Sequence, residues 1–225
     1  VGQTLLIVLP TKTEQQYLDR AKCCEETWLQ DSPCDFKFFS DADLGLTEIN
    51  QHDNANDPIR TWRTKLMVKF AFENNYDFVF RVDTDAYVWI DRLLESGFER
   101  FDYFGYCEDV QQSTSEWCLR TAHGGCGFTL SRRAMEIVMN APIDTYGDGK
   151  YWGDLWAGHH LWKSGINCHR DIRFVNNDRG DDKGNVSVDD IPENNQYISM
   201  HPVLPIENMR AIHKRFHANK TEATV

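Results

Sequence analysis

The chain has 225 residues, 41% of them hydrophobic and 26% charged, with a formal net charge of −11. That length supports one sizeable core and is short for two independent ones. The acidity argues against a nucleic-acid backbone or an anionic membrane as the main partner, and the sequence holds no run of 18 apolar residues that would read as a spanning helix.

An acidic protein can still bind an anionic small molecule when a metal ion sits between the two. The first residue is Val1 and no leader is visible, which leaves room for a leader or anchor removed upstream. Seven cysteines occur, Cys23, Cys24, Cys34, Cys107, Cys118, Cys126 and Cys168, so at least one thiol stays unpaired within a monomer. Cys107 and Cys118 flank one loop and are a candidate bridge; Cys34 is a candidate partner for Cys23 or Cys24. Free buried thiols in a reducing compartment are the competing reading. No Cys-x-x-Cys pair exists, which argues against a zinc site. The sequons Asn185-Val186-Ser187 and Asn219-Lys220-Thr221 matter only in a secretory setting.

In chain order, Thr4 to Leu9 is a short apolar run closed by Pro10 and reads as a first, buried, parallel-type strand. Thr11 follows at its carboxyl end, where ligands of open α/β sheets bind. Thr13 with Gln16 has the form of a capping box. A helix is therefore expected to about Leu29, with Tyr17, Ala21, Cys24 and Trp28 on one face. Phe36 to Ser40 is the second strand, with Asp41 directly after it. Residues 45–57 are polar and aperiodic, a loop. From Ile59 to Asn74 the pattern is helical, with Trp62, Leu66, Phe70 and Glu73 in phase and Lys65 and Lys69 one turn apart.

Asp77 to Val82 is rich in β-branched and aromatic residues and reads as a buried strand. It ends in Asp83-Thr84-Asp85. Side chains two apart on an extended backbone share a side, so Asp83 and Asp85 aim at one place beyond the strand. Two like charges so placed repel, and a hard divalent cation such as Mg²⁺ or Mn²⁺ relieves the conflict. The competing reading is a turn in which both carboxylates only cap N–H groups.

Val88 to Glu95 suggests a helix and Tyr103 to Tyr106 a strand; residues 108–121 are a polar loop or an edge hairpin. Gly124, Gly125 and Gly127 fall within four residues, forming a tight turn or letting the backbone approach a ligand. Ser131 caps a helix through Met139. A loop over 142–149 leads to an aromatic-rich helix over Tyr151 to Trp162, with Asp154 near its start, where the macrodipole favours an acid. Cys168 to Val175 is a last strand. Residues 176–195, acidic and rich in Gly and Asn, are expected to be a mobile loop. Gln196 to Pro202 is apolar and carries His201. Residues 216–225 read as a tail. Strands alternating with helices imply an α/β fold, a central mainly parallel sheet flanked by helices, in a single domain over 1–225.

Taken together, Ala21-Lys22 with Thr27-Trp28, Lys65-Leu66-Met67, Arg81 to Val88, Gly124-Gly125-Cys126-Gly127-Phe128 and Gly153-Asp154-Leu155 resemble the Fringe and core-1 β1,3-galactosyltransferase family. These are inverting, nucleotide-sugar-dependent glycosyltransferases of GT-A fold. The resemblance runs in order from about residue 5 to 205. It implies a UDP-sugar donor (galactose first, then glucose or N-acetylglucosamine), a glycan or glycoprotein acceptor, and Mn²⁺ or Mg²⁺ as cofactor. It places Thr11 and Asp41 at the uridine, Lys65 near the donor, and Asp83 and Asp85 at the metal, with Asp85 the chief metal carboxylate. Thr84 stands where the family usually has a third acid, which alters contacts to ribose or sugar. Gly124 and Gly125 match the stretch beside the donor sugar, Asp154 the general base, and His201 a late histidine completing the metal site. Trp152 and Trp156 flank the base; stacking on an acceptor sugar is one role, and core packing is the stronger expectation for Trp156. The family implies a Golgi-lumenal domain if the enzyme is anchored and eukaryotic; a bacterial or viral one would be cytoplasmic, and the residues do not decide. A non-catalytic nucleotide-sugar- or glycan-binding module of the same fold and a sugar-nucleotide hydrolase are the alternatives.

Overall fold

The structure, a computed structural model, describes residues 3–40, 48–50, 60–111, 118–143, 153–177 and 186–222. The first half carries β1 (Leu5–Pro10), α1 (Gln15–Glu26), β2 (Asp35–Ser40), β3 (Glu48–Asn50), α2 (Arg60–Glu73), β4 (Phe78–Arg81), β5 (Tyr87–Val88), α3 (Ile90–Leu94) and β6 (Tyr103–Gly105). A hairpin of β7 (Cys107–Gln111) and β8 (Cys118–Ala122) follows, then β9 (Phe128–Ser131), α4 (Arg132–Asn140) and α5 (Gly153–Lys163). The chain ends with β10 (His169–Arg170), β11 (Phe174–Asn176), β12 (Ser199–His201) and α6 (Ile206–Glu222).

Seven strands form the main sheet in the order β10-β6-β9-β4-β1-β2-β3. β4, β1, β2 and β3 run parallel, β9 runs antiparallel between β4 and β6, and β10 is parallel to β6. This is the expected α/β fold, a mixed, mainly parallel central sheet flanked by helices. Strand alternation divides the core. Leu5, Ile7, Leu9, Phe78 and Phe80 face one layer with Ala21 and Cys24 of α1 and Met209 and Ile212 of α6. Leu6, Val8 and Val79 face the other, with Met67, Val68 and Ala71 of α2, Ala134 and Val138 of α4, and Trp156 and Leu161 of α5. A strand buried on both faces explains the uninterrupted apolar run of β1. A second sheet, β11-β12-β5, stands beyond the end of β4.

Several expectations need correction. The capping box does not form: α1 starts at Gln15 behind Glu14, with no side-chain cap. The buried face of α2 is Thr61, Thr64, Met67, Val68 and Ala71, while Trp62 is 40% exposed. α2 packs on α4 and α5 as well as the sheet, and small threonines suit that contact better than the aromatic phase read from sequence. Val88 belongs to a strand, because it pairs with Ser199. The glycine-rich stretch leads straight into β9, too short to show a period. The strand expected over Cys168 to Val175 divides between two sheets at Asp171, which accepts bonds from the backbone N–H and guanidinium of Arg173. In the segment expected to be mobile, residues 186–195 pack in place: Ile191 is buried and Asn195 accepts a hydrogen bond from Arg92 at 2.6 Å. The expected tail is helical to Glu222, and Phe216 packs edge-on against Trp89.

The cysteine pairing also differs. Cys107 bonds Cys168, while Cys23, Cys24, Cys34 and Cys126 carry no disulfide. The hairpin register sets Cys107 opposite Ala122 and Cys118 opposite Gln111, so the two cysteines flanking the loop lie at opposite ends of the ladder. Cys23 and Cys24 are instead directed at the carbonyls of Ile206 and Thr84. The bridge closes a sequence separation of 61, for which chain entropy gives about 4 kcal/mol. Cys168→Ser is therefore expected to lower unfolding stability by about 2–4 kcal/mol in urea titrations. Reductant should produce the same drop in the parent chain and none in the variant.

Candidate functional site

β4 is held between β1 and β9 and stops at Arg81. The chain continues with Val82, whose N–H donates to Val8 O, and turns so that Ala86 N–H reaches Asp83 O. Val82 and Ala86 are fully buried, which fixes the turn and leaves Asp83 and Asp85 at its rim. β5 then pairs antiparallel with β12, Tyr87 opposite Met200. Beyond that pair, the N–H of Val203 donates to Asp85 O at 2.7 Å. This pairing carries His201 onto the acidic turn.

His201 Nε2 lies 3.2 Å from Asp85 Oδ1, and Arg20 of α1 holds Asp85 Oδ2 at 2.9 Å. Arg81 Nη2 holds Asp83 Oδ1 at 2.8 Å. Burial alone would raise the Asp85 carboxyl, but the hydrogen bond and charge of His201 and the charge of Arg20 outweigh it and hold the group below its ordinary range. One ligating atom from each of Asp83, Asp85 and His201 lies within 4.8 Å of the other two. Neighbouring ligands on an octahedral ion with bonds of about 2.1 Å sit about 3 Å apart, so the Asp85–His201 separation suits Mg²⁺ or Mn²⁺. The donor set, two carboxylates and an imidazole, suits them too.

A cleft of ≈ 220 Å³ opens beside this cluster. Thr11 and Lys12 after β1, Tyr17 and Arg20 of α1, Arg63, Thr64 and Met67 of α2, and residues 81 and 83–85 line it. Lys12, Arg20, Arg63 and Arg81 outnumber Asp83 and Asp85, so the cleft is cationic in a chain of net charge −11. Arg81 Nε and Nη1 are buried without a hydrogen-bond partner.

Opposite lies the turn 123–127. The N–H of Gly124 donates to Asp154 Oδ2 at 2.7 Å, and Asp154 Oδ1 accepts from Leu155 N–H at 3.0 Å. A β-carbon on Gly124 would meet the Arg81 guanidinium at 2.1 Å and Asp154 Oδ2 at 2.9 Å; one on Gly125 would meet the His201 ring at 2.3 Å. These two glycines are bare because side chains from β4, α5 and β12 occupy the space. Burial, and then the charge of His201, lowers the pKa of neighbouring His123 against the opposing pull of Asp154, Glu108 and Asp83.

The structure thus brings together Thr11, Asp83, Thr84, Asp85, Gly124, Gly125 and His201, with half-buried Asp154 against Gly124 and outside the cleft lining. Lys65 is a correction: its Nζ donates to Ala141 O at 2.6 Å, away from the cleft. Burial first, then Lys69, lowers its pKa. A helix turns about 100° per residue, and the phase that buries Thr61 and Thr64 sends Arg63, not Lys65, into the cleft. Asp41 and Trp152 lie outside the described residues. Trp156 is core, 3% exposed, with Nε1 donating to Pro142 O at 3.1 Å. Lys12, Arg20, Arg63 and Arg81 line the cleft and lie outside the site residues expected from sequence. Arg81 was legible, two before Asp83 on the same strand side; Arg20 comes from a distant helix, and no local pattern marks it.

No family model and no curated protein matches the sequence. Among solved structures, the chain is similar to the crystal structure of a glycosyltransferase involved in the glycosylation of the major capsid of PBCV-1, with a TM-score of 0.49 and 12% identity over 92% of this chain and 99% of that one.

The geometry makes two expectations. Gly125→Ala should push the His201 ring off Asp85, seen as displaced His201 imidazole resonances in NMR, at about 1–3 kcal/mol of stability. Because Asp85 is held below its ordinary 3.8, its contribution to stability is full above that value and is lost as pH falls through the folded pKa. Asp85→Asn should therefore be less stable than the parent at about pH 7, and the gap should narrow as pH falls below 3.8 in urea denaturation.

Proposed function

We propose that the protein is a metal-dependent inverting glycosyltransferase of GT-A type, moving a hexose from a UDP-sugar to a hydroxyl of a glycan or glycoprotein acceptor. Galactose is the first choice of sugar, then glucose or N-acetylglucosamine. The observation that carries this reading is the convergence of Asp83, Asp85 and His201 beside a cationic cleft at the carboxyl end of a central parallel strand, where α/β sheets bind ligands. The motif resemblance to the Fringe and core-1 family supports the same reading.

Asp83, Asp85 and His201 would hold Mn²⁺ or Mg²⁺, which when bound neutralises charge on a diphosphate leaving group. The chain's own cations act alongside. Arg20, Arg63 and Lys12 face the cleft, and guanidinium groups match phosphate oxygens with paired hydrogen bonds. Arg81 offers Nε and Nη1 while Nη2 keeps Asp83 in place. Thr11, just after β1, lines the cleft and in this reading meets the nucleoside. Asp154, oriented by two backbone N–H groups, takes the proton of the acceptor hydroxyl, a role typically worth about 10²–10⁴ in rate. A base acting on the face away from the leaving group gives single displacement with inversion. The Cys107–Cys168 bridge supports an oxidising lumen over a reducing cytoplasm as the compartment.

Calorimetry of UDP binding with and without Mn²⁺, combined with a screen of UDP-sugars for donor consumption, tests the reading. Binding should need the metal and fail in Asp85→Ala. Asp154→Asn should keep UDP binding and lose transfer by about 10²-fold or more. UDP binding indifferent to metal and to Asp85→Ala overturns the reading. Donor consumption that yields only free sugar when acceptors are present makes the protein a hydrolase, and binding without any turnover makes it a binding module.

A further inference from the structure

On the far side of His201 from the acidic turn, a second cluster has a different chemistry. His123, Cys126 and His201 each present a ligating atom within 4.8 Å of the other two. Cys126 is fully buried and His201 is 9% exposed. The Nδ1 atoms of His123 and His201 are both buried with no hydrogen-bond partner, and an unpaired polar atom in such a place costs about 1–3 kcal/mol. We propose that His123, Cys126 and His201 form a site for a soft divalent cation, Zn²⁺, separate from the hard-ion site at Asp83 and Asp85.

Three observations support it. His123 and Cys126 are separated by two glycines. That is the short chelate spacing of zinc ligand pairs, with histidine in the place of the first cysteine; a search for Cys-x-x-Cys alone passes over it. The tautomer is the second. When His201 donates its Nε2 proton to Asp85 Oδ1, 3.2 Å away, Nδ1 carries the free lone pair. A carboxylate on one imidazole nitrogen and a metal on the other is the usual arrangement of zinc-bound histidine. The third is the frame. Ser199 Oγ donates to Cys126 O at 2.5 Å, and His123 N–H donates to Tyr106 O at 2.8 Å, so both ends of the glycine turn are anchored against β12 and β6.

Zinc with two nitrogens and one sulfur at about 2.0–2.3 Å has ligand separations of about 3.5 Å, which atoms already within 4.8 Å of one another reach by small side-chain adjustments. The Cys126 thiol gives its proton to solvent as the thiolate binds, and water completes a tetrahedral set. A hard ion at Asp83 and Asp85 needs the lone pair on Nε2, which moves the ring proton to Nδ1. The two sites therefore oppose each other through one imidazole.

The test uses the full chain, stripped with chelator and titrated with Co²⁺, whose bond to a thiolate gives a charge-transfer band in the near ultraviolet. The parent should show that band. Cys126→Ser should lose it, His123→Gln should raise the apparent dissociation constant at least about tenfold, and Asp83→Asn, which cripples the hard-ion site, should keep the band. Circular dichroism establishes that each variant is folded; if Cys126→Ser is not, His123→Gln decides. No band in the parent, a band that survives Cys126→Ser, unchanged affinity in His123→Gln, or loss of the band in Asp83→Asn each overturns the proposal. Metal-dependent UDP binding could fail in every case while the cobalt band remains, so this site and the proposed transfer activity stand or fall separately.

Discussion

The short antiparallel pairing of β5 with β12 is the contact on which the site depends. Only two residue pairs join the strands, yet they set Asp85 and His201, from opposite ends of the chain, 3.2 Å apart. The bond from Val203 N–H to Asp85 O locks the register. A slip of one residue would turn His201 to the other face of its strand and leave Asp85 with Arg20 alone. The small sheet is held by core on both sides: Met200 and Tyr87 are buried in the layer beneath α1 and α6. Phe216 on Trp89 extends that layer to the last helix. The site geometry thus rests on apolar packing at some distance from any charge.

Electrostatics shapes the rest. A chain of net −11 repels anions at long range, yet the cleft collects four cationic side chains around two carboxylates. Each carboxylate is already engaged: Asp83 with Arg81, Asp85 with Arg20 and His201. Each carboxylate therefore has charge-compensating partners within the chain. Their side-chain partners include cationic groups from β4, α1 and β12, and Asp85 also takes a bond from its own backbone N–H. Four cationic side chains about two carboxylates suit a ligand that carries negative charge.

Much of the frame was legible in the sequence. β1 and β4 are buried on both faces, so each appears as an apolar run, whereas β2 is interrupted by half-buried Lys37. Asp83 and Asp85 are legible as a pair just past a buried strand, although a turn rather than strand alternation places them, and Ser131 is the N-cap its position suggests, accepting from Ala134 N–H. What failed has a common physical origin. The phase of α2 was read from its large side chains, but helix-on-helix packing buries the threonines, and that rotation exchanges Lys65 for Arg63 at the cleft. The cysteines were paired by proximity along the chain, whereas hairpin register separates Cys107 from Cys118 and the edge strand β10 brings Cys168 up from beyond α5. His201 carried no local signal; only the motif resemblance marked it, and its position is a product of sheet pairing that no window of sequence contains.

The glycine turn connects these threads. It is squeezed between Arg81 and Asp154 at Gly124 and against the imidazole at Gly125, so a methyl group at either position would part groups that now touch through backbone alone. Gly127, at a φ of +93° with Phe80 against its Cα, closes the turn in a conformation that side-chain-bearing residues rarely adopt. The same residues that exclude side chains from the turn bring its N–H to Asp154 and its flanking His123 and Cys126 to the inner face of His201. A segment that reads as a simple bend thereby joins Arg81 of the cleft, the candidate base and the buried histidine–cysteine cluster. The imidazole of His201 beside that turn has the Asp85 carboxylate 3.2 Å from Nε2 and no hydrogen-bond partner on buried Nδ1, so its two nitrogens meet two different environments.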